Sequence, residues 1–278
     1  MNYRHVFHAG NFADVHKHVA LVCILQRLQR KETPFAVIDT HAGRGLYDLS
    51  TAEAARTGEA ADGIGKLAAH SAETPALAKY LSVVRTFGPE TYSGSPAIAA
   101  RLLRPQDRLV AIESEAGEFH ELASVLARRP NVRCMHADGY TSLSRLLPPP
   151  ERRGVVFMDP PYEDADEMQQ VAAAIGAAHR RFATGAYAIW YPLKSEVPAQ
   201  ALAGELESAG IRRLLSLIMD IGSGKHDAPG RLGASGLLVV NPPYGLDAEM
   251  RDAQAELLPL LKRGGGAKSD IQWLIGEP

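Results

Sequence analysis

Cysteine and tryptophan are both scarce in this chain, two of each among 278 residues, and aromatics make up only 6%. Cys23 and Cys134 sit in the apolar runs VALVCIL and NVRCMHA, which reads as two buried thiols; no disulfide is expected, and nothing in that usage argues against the cytoplasm. Paired cysteines of metal-site spacing are missing too. His5, His8, His16, His18 and His41 crowd the N-terminal part, but His16 and His18 are two apart and face different sides of a helix. Polar contacts to ligands are expected of them, and no metal. No apolar run approaches the roughly eighteen residues of a membrane span, and the opening MNYRHVFHAGNFADVHKH is too polar for a secretion signal. A net charge of -2 does not advertise a nucleic-acid binder. That average conceals Arg4, Lys17, Arg27, Arg30 and Lys31 set against Asp14 alone. Singly each reads as a solvated helix charge; together they could meet phosphates.

What is present is ample apolar material, 46% of residues, with an ordinary 22% of charge. Asn11 is placed to cap a helix running to about Arg30, with Val15, Val19, Val22 and Leu25 or Cys23 on its apolar face. Apolar runs then recur at PFAVID, LVAIE, VRCMHA, GVVFMD and AYAIWY, separated by helical stretches such as EAGEFHELASVLARR and DEMQQVAAAIGAAHRRF. Strands alternating with helices predict a parallel sheet covered on both faces. Later, RLLSLIMDI and SGLLVVN are joined by a loop too short for a crossover helix, and so read as an antiparallel pair closing the sheet. The stretch between Gly45 and Glu113 is more than three times the roughly 20 residues usual between a glycine loop and its acid. Its helical patterns, without a convincing strand, predict a helical insertion at about 46–92 within a single domain of residues 1–278.

Asp39-Thr-His-Ala-Gly43-Arg-Gly45 follows the first strand, where glycines let a ligand approach the backbone. Gly-x-Gly alone is often just a tight turn. The acids after it make it stronger: Glu113 ends the second strand, where it could accept from two ribose hydroxyls. Asp138-Gly139 ends the third, where a carboxylate can receive an adenine amino group, and Asp159-Pro-Pro-Tyr ends the fourth. Open α/β sheets bind ligands at these carboxyl ends. Four such positions in order are the layout of a class I S-adenosylmethionine (SAM) methyltransferase, a Rossmann-like α/β fold.

GVVFMDPPYED is nearly repeated as GLLVVNPPYGL from Gly236. Asp159 comes one helix and one strand after the adenine-site acid, whereas Asn241 follows the fifth and sixth strands, beyond a cofactor's reach. Asp159 is therefore the expected catalytic residue, and Asn241–Tyr244 a structural turn after the last strand. An exocyclic amine is a poor nucleophile because its lone pair is delocalised into the ring. If Asp159 and the Pro160 carbonyl each accept one amino hydrogen, the nitrogen moves toward a tetrahedral shape and can attack a sulfonium methyl in line. Two prolines stiffen that loop, Tyr162 offers a stacking face, and a paired base must first leave its helix.

YRHVFHAGNFADVHKH, joined to DTHAGRGLY, SGSP, DPPY, TGAYAIWYP and NPPY, resembles the RlmJ-type 23S ribosomal RNA adenine-N6 methyltransferases over essentially the whole chain. The resemblance implies SAM as methyl donor and an adenine of 23S ribosomal RNA as target. It implies cofactor contacts at His18, His41, Gly43, Ser95, Glu113, Asp138, Gly139 and Asp159, and places Tyr3, His5 and Lys17 near the base with Pro160 and Tyr162. Ser93 stands where a Pro is expected before Gly-Ser-Pro, and Tyr244 where some members have Trp. Nothing indicates a membrane or an obligate protein partner, so a cytoplasmic monomer is expected. A DNA adenine-N6 methyltransferase, or an RNA-binding protein on a methyltransferase scaffold without activity, are the rival readings. The first ten residues are expected to be mobile when alone and ordered over a bound adenosine.

Overall fold

The computed structural model describes residues 5–164, 166–193, 197–222 and 232–276. Helix α1 (Phe12–Gln29) comes first, capped as expected by Asn11, whose side chain accepts from the Asp14 amide. Strand β1 (Ala36–Asp39) leads into β2 (Leu46–Asp48), and helices α2 (Ala52–Thr57), α3 (Glu59–Asp62) and α4 (Pro75–Val84) precede β3 (Thr91–Ser93). Regular alternation follows: α5 (Ser95–Leu102), β4 (Arg108–Glu113), α6 (Ala116–Val125), β5 (Val132–His136), α7 (Gly139–Leu146), β6 (Gly154–Met158), α8 (Glu167–Arg181) and β7 (Ala186–Pro192). The chain ends with α9 (Val197–Ser208), β8 (Leu214–Asp220), β9 (Ala234–Val240), α10 (Leu246–Leu261) and β10 (Lys268–Ile275).

Eight strands form one sheet in the order β10-β8-β9-β7-β6-β1-β4-β5. The five from β5 to β7 are parallel, and β9 enters antiparallel between β7 and β8. This is the class I SAM methyltransferase sheet with an antiparallel pair at its end. The continuous apolar strand runs follow from burial on both faces. Val37, Leu109, Ala111, Val155 and Phe157 belong to one core, with α1, α4, α5 and α10. Their alternates Ile38, Val110, Ile112, Val156 and Met158 belong to the other, with α7, α8 and α9. Each such side chain contributes about 1.5–3 kcal/mol when fully buried.

Some expectations need correction. Helix α1 is not one-sided: Phe12 to Leu25 are buried without interruption, because α4, α5 and α10 enclose it against the sheet. Two members of the basic N-terminal set are committed within the fold, since Lys17 is 3% exposed and Arg27 is held by Glu249 and two backbone carbonyls, while Arg30 and Lys31 stay exposed. The insertion carries strands after all: β2 and β3 pair antiparallel, Leu46 with Ser93 and Asp48 with Thr91, and bracket its helices in a two-stranded ribbon. Finally, the Asn241 turn does not end the sheet. Helix α10 returns the chain, and β10 adds an edge strand antiparallel to β8.

Candidate active site

At the carboxyl ends of the parallel strands lies a cavity of about 1430 Å³. His5, Lys17, His18, His41, Gly43, Ser95, Glu113, Asp159, Pro160 and Tyr162 all line it, so the structure brings together ten of the residues singled out from sequence. Asp138 and Gly139 stand just behind: Asp138 caps α7 by accepting from the Thr141 amide at 2.7 Å, and Tyr140 packs edge-on against His41 at 4.9 Å. Gly139 is required by close approach, since a Cβ there would collide with the Thr40 carbonyl oxygen. Tyr3 and Arg4 lie outside the described residues.

Asp159 sits where the chain leaves β6. Its Oδ2 is 2.6 Å from Lys17 Nζ, which also holds Asp14 Oδ1 at 2.5 Å. Burial works against the Lys17 ammonium, but the two carboxylates outweigh it and raise its pKa above the ordinary lysine value. The same pairing, with His5, overcomes the burial of Asp14 and holds that carboxyl well below the usual range. Lys17 is thus a fixed cation and no base. Asp159 Oδ1 takes no hydrogen bond from the described residues, and its side chain keeps 16% exposure to the cavity. Tyr162 adopts the left-handed region at φ 51°, an arrangement that costs a non-glycine residue energy. It is held there by donating its hydroxyl to the Trp190 carbonyl at 2.7 Å, with the two rings tilted at 5.9 Å.

The glycine loop meets Glu113 directly: the Gly43 amide donates to Oε2 and the Glu115 amide to Oε1, both at 2.8 Å. Gly43 has φ +60°, and a Cβ there would collide with the Tyr47 hydroxyl. Each Glu113 oxygen retains a lone pair, while burial raises the pKa of the carboxyl. Ser95 turns its hydroxyl to Asp39 Oδ2 at 2.7 Å, leaving buried Asp39 Oδ1 without a partner and burial lifting that acid to about 7. Burial pushes His41 down to about 4 and His18 to about 3, so both rings are neutral near physiological pH. Among the described residues, no group of three or more His, Cys, Asp or Glu is arranged to hold a metal ion, and no helix is long and apolar enough to cross a membrane.

From residue 5 onward the N-terminal segment is folded, contrary to the expectation of a tail mobile in the absence of ligand. Val6 and Ala9 are buried, His5 Nε2 lies 3.1 Å from Asp14, and the Gly10 amide donates to the same carboxylate at 2.8 Å. The insertion grips it from the other side. Glu59 meets His8 Nδ1 and accepts from Asn11 Nδ2, both at 3.0 Å, and the Ile64 amide donates to the Gly10 carbonyl.

Sequence reasoning missed Asp14, Glu59, Tyr92 and Trp190. Asp14 was legible only as the lone acid in a basic stretch. Trp190, 5.2 Å from Lys17 Nζ, lies in the TGAYAIWYP run at a strand's carboxyl end. Glu59 and Tyr92 act across a fold that no local pattern announces. The echo motif is elsewhere: Val240 pairs with Tyr187 at the start of β7, so Asn241 stands at the opposite rim.

A family model described as "Ribosomal RNA large subunit methyltransferase D, RlmJ" matches residues 32–275. Proteins named Ribosomal RNA large subunit methyltransferase J from Haemophilus influenzae and Escherichia coli are 38% and 37% identical, each alignment covering 100% of both chains. The crystal structure of protein LPL1258 from Legionella pneumophila superposes with a TM-score of 0.86 at 31% identity, covering 96% of this chain and 98% of that one. A probable spermidine synthase from Corynebacterium glutamicum, at 14% identity and a TM-score of 0.51 over 96% of this chain and 76% of its own, shares the fold alone. Likeness along the whole length, over a site assembled from the expected residues, leaves one placement: the chain belongs to the RlmJ family of large-subunit ribosomal RNA methyltransferases.

Proposed function

We propose that this protein transfers the methyl group of SAM to the exocyclic N6 of one adenine in 23S ribosomal RNA. The observation that carries the reading is Asp159, held at the cavity floor by Lys17 with one carboxylate oxygen still open to a ligand. Family membership supplies the substrate class. Asp159 is the catalytic residue and, with the Pro160 carbonyl, accepts the two amino hydrogens. Lys17 fixes the rotamer of Asp159, and Tyr162 with Trp190 walls the base pocket. His5 completes that pocket from the N-terminal side, and Tyr3 is the further base-contacting residue that the family resemblance implies.

The residues present fit SAM. Glu113 has lone pairs to spare for two ribose hydroxyls, Gly43 lines the cavity beside it, and Asp138 with Gly139 borders the adenine end beside His41. Ser95 and His18 line the remaining, methionine-side wall. When bound, SAM supplies a methyl group on a positively charged sulfur. The chain's own work is to orient the amine and exclude water, which contributes through geometry and fixed dipoles. No strong base is needed, because a methylated amine is acidic while cationic, and Asp159 can take its proton.

A ribosomal RNA substrate puts the work of this protein in the cytoplasm. Incubation with methyl-labelled SAM and separate pools of large-subunit RNA, other RNA and DNA tests the reading. Label recovered as N6-methyladenosine in 23S RNA is expected. Label in DNA alone would favour a DNA enzyme, and no label in any pool would leave only a binding protein.

A further inference from the structure

His18 is 2% exposed, yet its two ring nitrogens have different fates. Nδ1 lies 2.8 Å from the Tyr92 hydroxyl. Nε2 has no protein partner and is not among the sealed, partnerless atoms, so it retains surface on the cavity that His18 lines. Behind Tyr92, the Tyr80 hydroxyl lies 3.2 Å from the Tyr92 hydroxyl. Both tyrosines are fully buried, and neither hydroxyl has any further partner. His18, Tyr92 and Tyr80 therefore form a closed row of three groups joined by two hydrogen bonds.

Counting hydrogens decides the direction of that row. Burial, reinforced by the Lys17 charge, keeps the His18 ring neutral, with a single N–H. Each hydroxyl brings one hydrogen. If Nδ1 carried the ring hydrogen, it would fill the first gap, and two hydroxyl hydrogens would compete for the second. One would be buried without an acceptor, at the full desolvation cost of that group. If Nδ1 is bare, Tyr80 donates to Tyr92, Tyr92 donates to Nδ1, and every hydrogen is placed. The ring hydrogen is then on Nε2, facing the cavity.

We propose that Tyr80 and Tyr92 are positioning residues that lock His18 in its Nε2–H tautomer, so that this point of the cavity offers a donor and selects a carboxylate oxygen, that of the methyl donor's amino-acid end. The identity of the ligand rests on the function proposed above; the tautomer does not. Glu113 and Asp138 lie toward the ribose and adenine. His18 follows Lys17, which holds Asp159, and so belongs to the side where the methyl group and its amino-acid tail must lie. Tyr80 comes from α4 and Tyr92 from β3, so the helical insertion and its ribbon act on His18 through a hydrogen-bonded row.

The test begins with the full-length protein, labelled with nitrogen-15 at histidine, and a long-range nitrogen–proton correlation spectrum near neutral pH. The Nε2–H pattern is expected for His18; an Nδ1–H pattern, or an averaged mixture, overturns the proposal. Affinities of wild type, Tyr92→Phe and Tyr80→Phe are then compared for SAM and for methylthioadenosine, which lacks the amino-acid end. Tyr92→Phe should weaken SAM about tenfold and leave methylthioadenosine within about twofold. Tyr80→Phe should do less, because Tyr92 can still donate to Nδ1. Equal loss for both ligands, or unchanged SAM affinity, means that the tyrosines are packing residues only. If Tyr92→Phe does not fold, the wild-type spectrum alone decides. A wild type that binds neither ligand contradicts the function while leaving the tautomer measurable.

Discussion

Two loops of this protein carry Pro-Pro-Tyr after a buried strand, and α1 sends a cation to each. At Asp159 the cation is Lys17, and it meets a side-chain carboxylate. At the Asn241 loop it is Arg27, which donates to the Tyr244 and Gly245 carbonyls and pairs with Glu249 at 2.6 Å. The ten-residue step from Lys17 to Arg27 spans about 15 Å of helix, enough to reach from one rim of the sheet toward the other. Strand direction separates the loops. Parallel β6 delivers its tail to the cavity, while antiparallel β9 delivers the same tripeptide to the far rim. There the Asn241 amide donates to Ala183 and Gly185, and its own N–H to Arg213. One loop keeps a carboxylate oxygen open to the cavity; the other ties both Asn241 side-chain N–H groups to the chain.

The largest effect should come from Asp159→Ala, which removes the open acceptor: methyl transfer to RNA should be abolished while most SAM affinity remains. The comparison is sharpened by adding Asn241→Asp to that variant. The far loop then reads Asp-Pro-Pro-Tyr, and activity should not return, because β9 still points away from the cavity. Recovery of labelled N6-methyladenosine in the double variant would break the argument from strand direction.

Next in size is Glu113→Ala. Loss of charge-assisted hydrogen bonds worth about 1.5–3 kcal/mol should weaken SAM binding roughly 10-fold to 150-fold. Because Glu113 also ties down Gly43 and Glu115, Glu113→Gln is the companion, retaining one acceptor oxygen and a smaller loss. Calorimetry with unchanged affinity in Glu113→Ala would remove this residue from the site.

At the far rim the effect belongs to stability. Asn241→Ala deletes two side-chain hydrogen bonds and puts a Cβ-bearing residue of no special tolerance at φ 48°. A cost of about 2–3 kcal/mol in denaturant unfolding is expected, with activity per folded molecule unchanged.

These loops also show what a sequence makes legible. Apolar runs and cap residues are local properties, so β1, β4, β5, β6 and β7, the acids at their ends and the Asn11 cap could all be located from them. The insertion was visible as surplus length, but its ribbon was not, since three-residue strands are too short to show a period. What eluded the sequence was long-range pairing. Arg27 and Tyr244 are 217 residues apart, His8 and Glu59 51, and His18 and Tyr92 74. Nothing in the neighbourhood of a charged residue tells whether its partner is water, phosphate or a buried carbonyl, so the commitments of Lys17 and Arg27 were not legible.

The smallest expected effect again separates the two rims, through pH. His8 is held by Glu59, whose hydrogen bond raises the histidine pKa above its ordinary value of 6.5 against the opposing effect of burial. A raised folded-state value means that the folded form binds the proton more tightly. The contribution of this pair is therefore complete below the ordinary value and is lost as pH rises through the raised one. Amide-exchange protection of residues 5–11, after correction for the intrinsic rate, should fall as pH rises from the ordinary histidine value of 6.5 through the raised one. The Asn241 turn, held by an amide with no proton to titrate, should show no such step from that contact. Glu59→Gln removes the charge but keeps an acceptor for Asn11, so its profile at the N-terminal segment should be flatter and its protection at low pH weaker. An equal slope in wild type and variant would mean that the insertion holds the N-terminal segment through other contacts, among them Asn11, the Gly10 carbonyl and the Phe7 carbonyl.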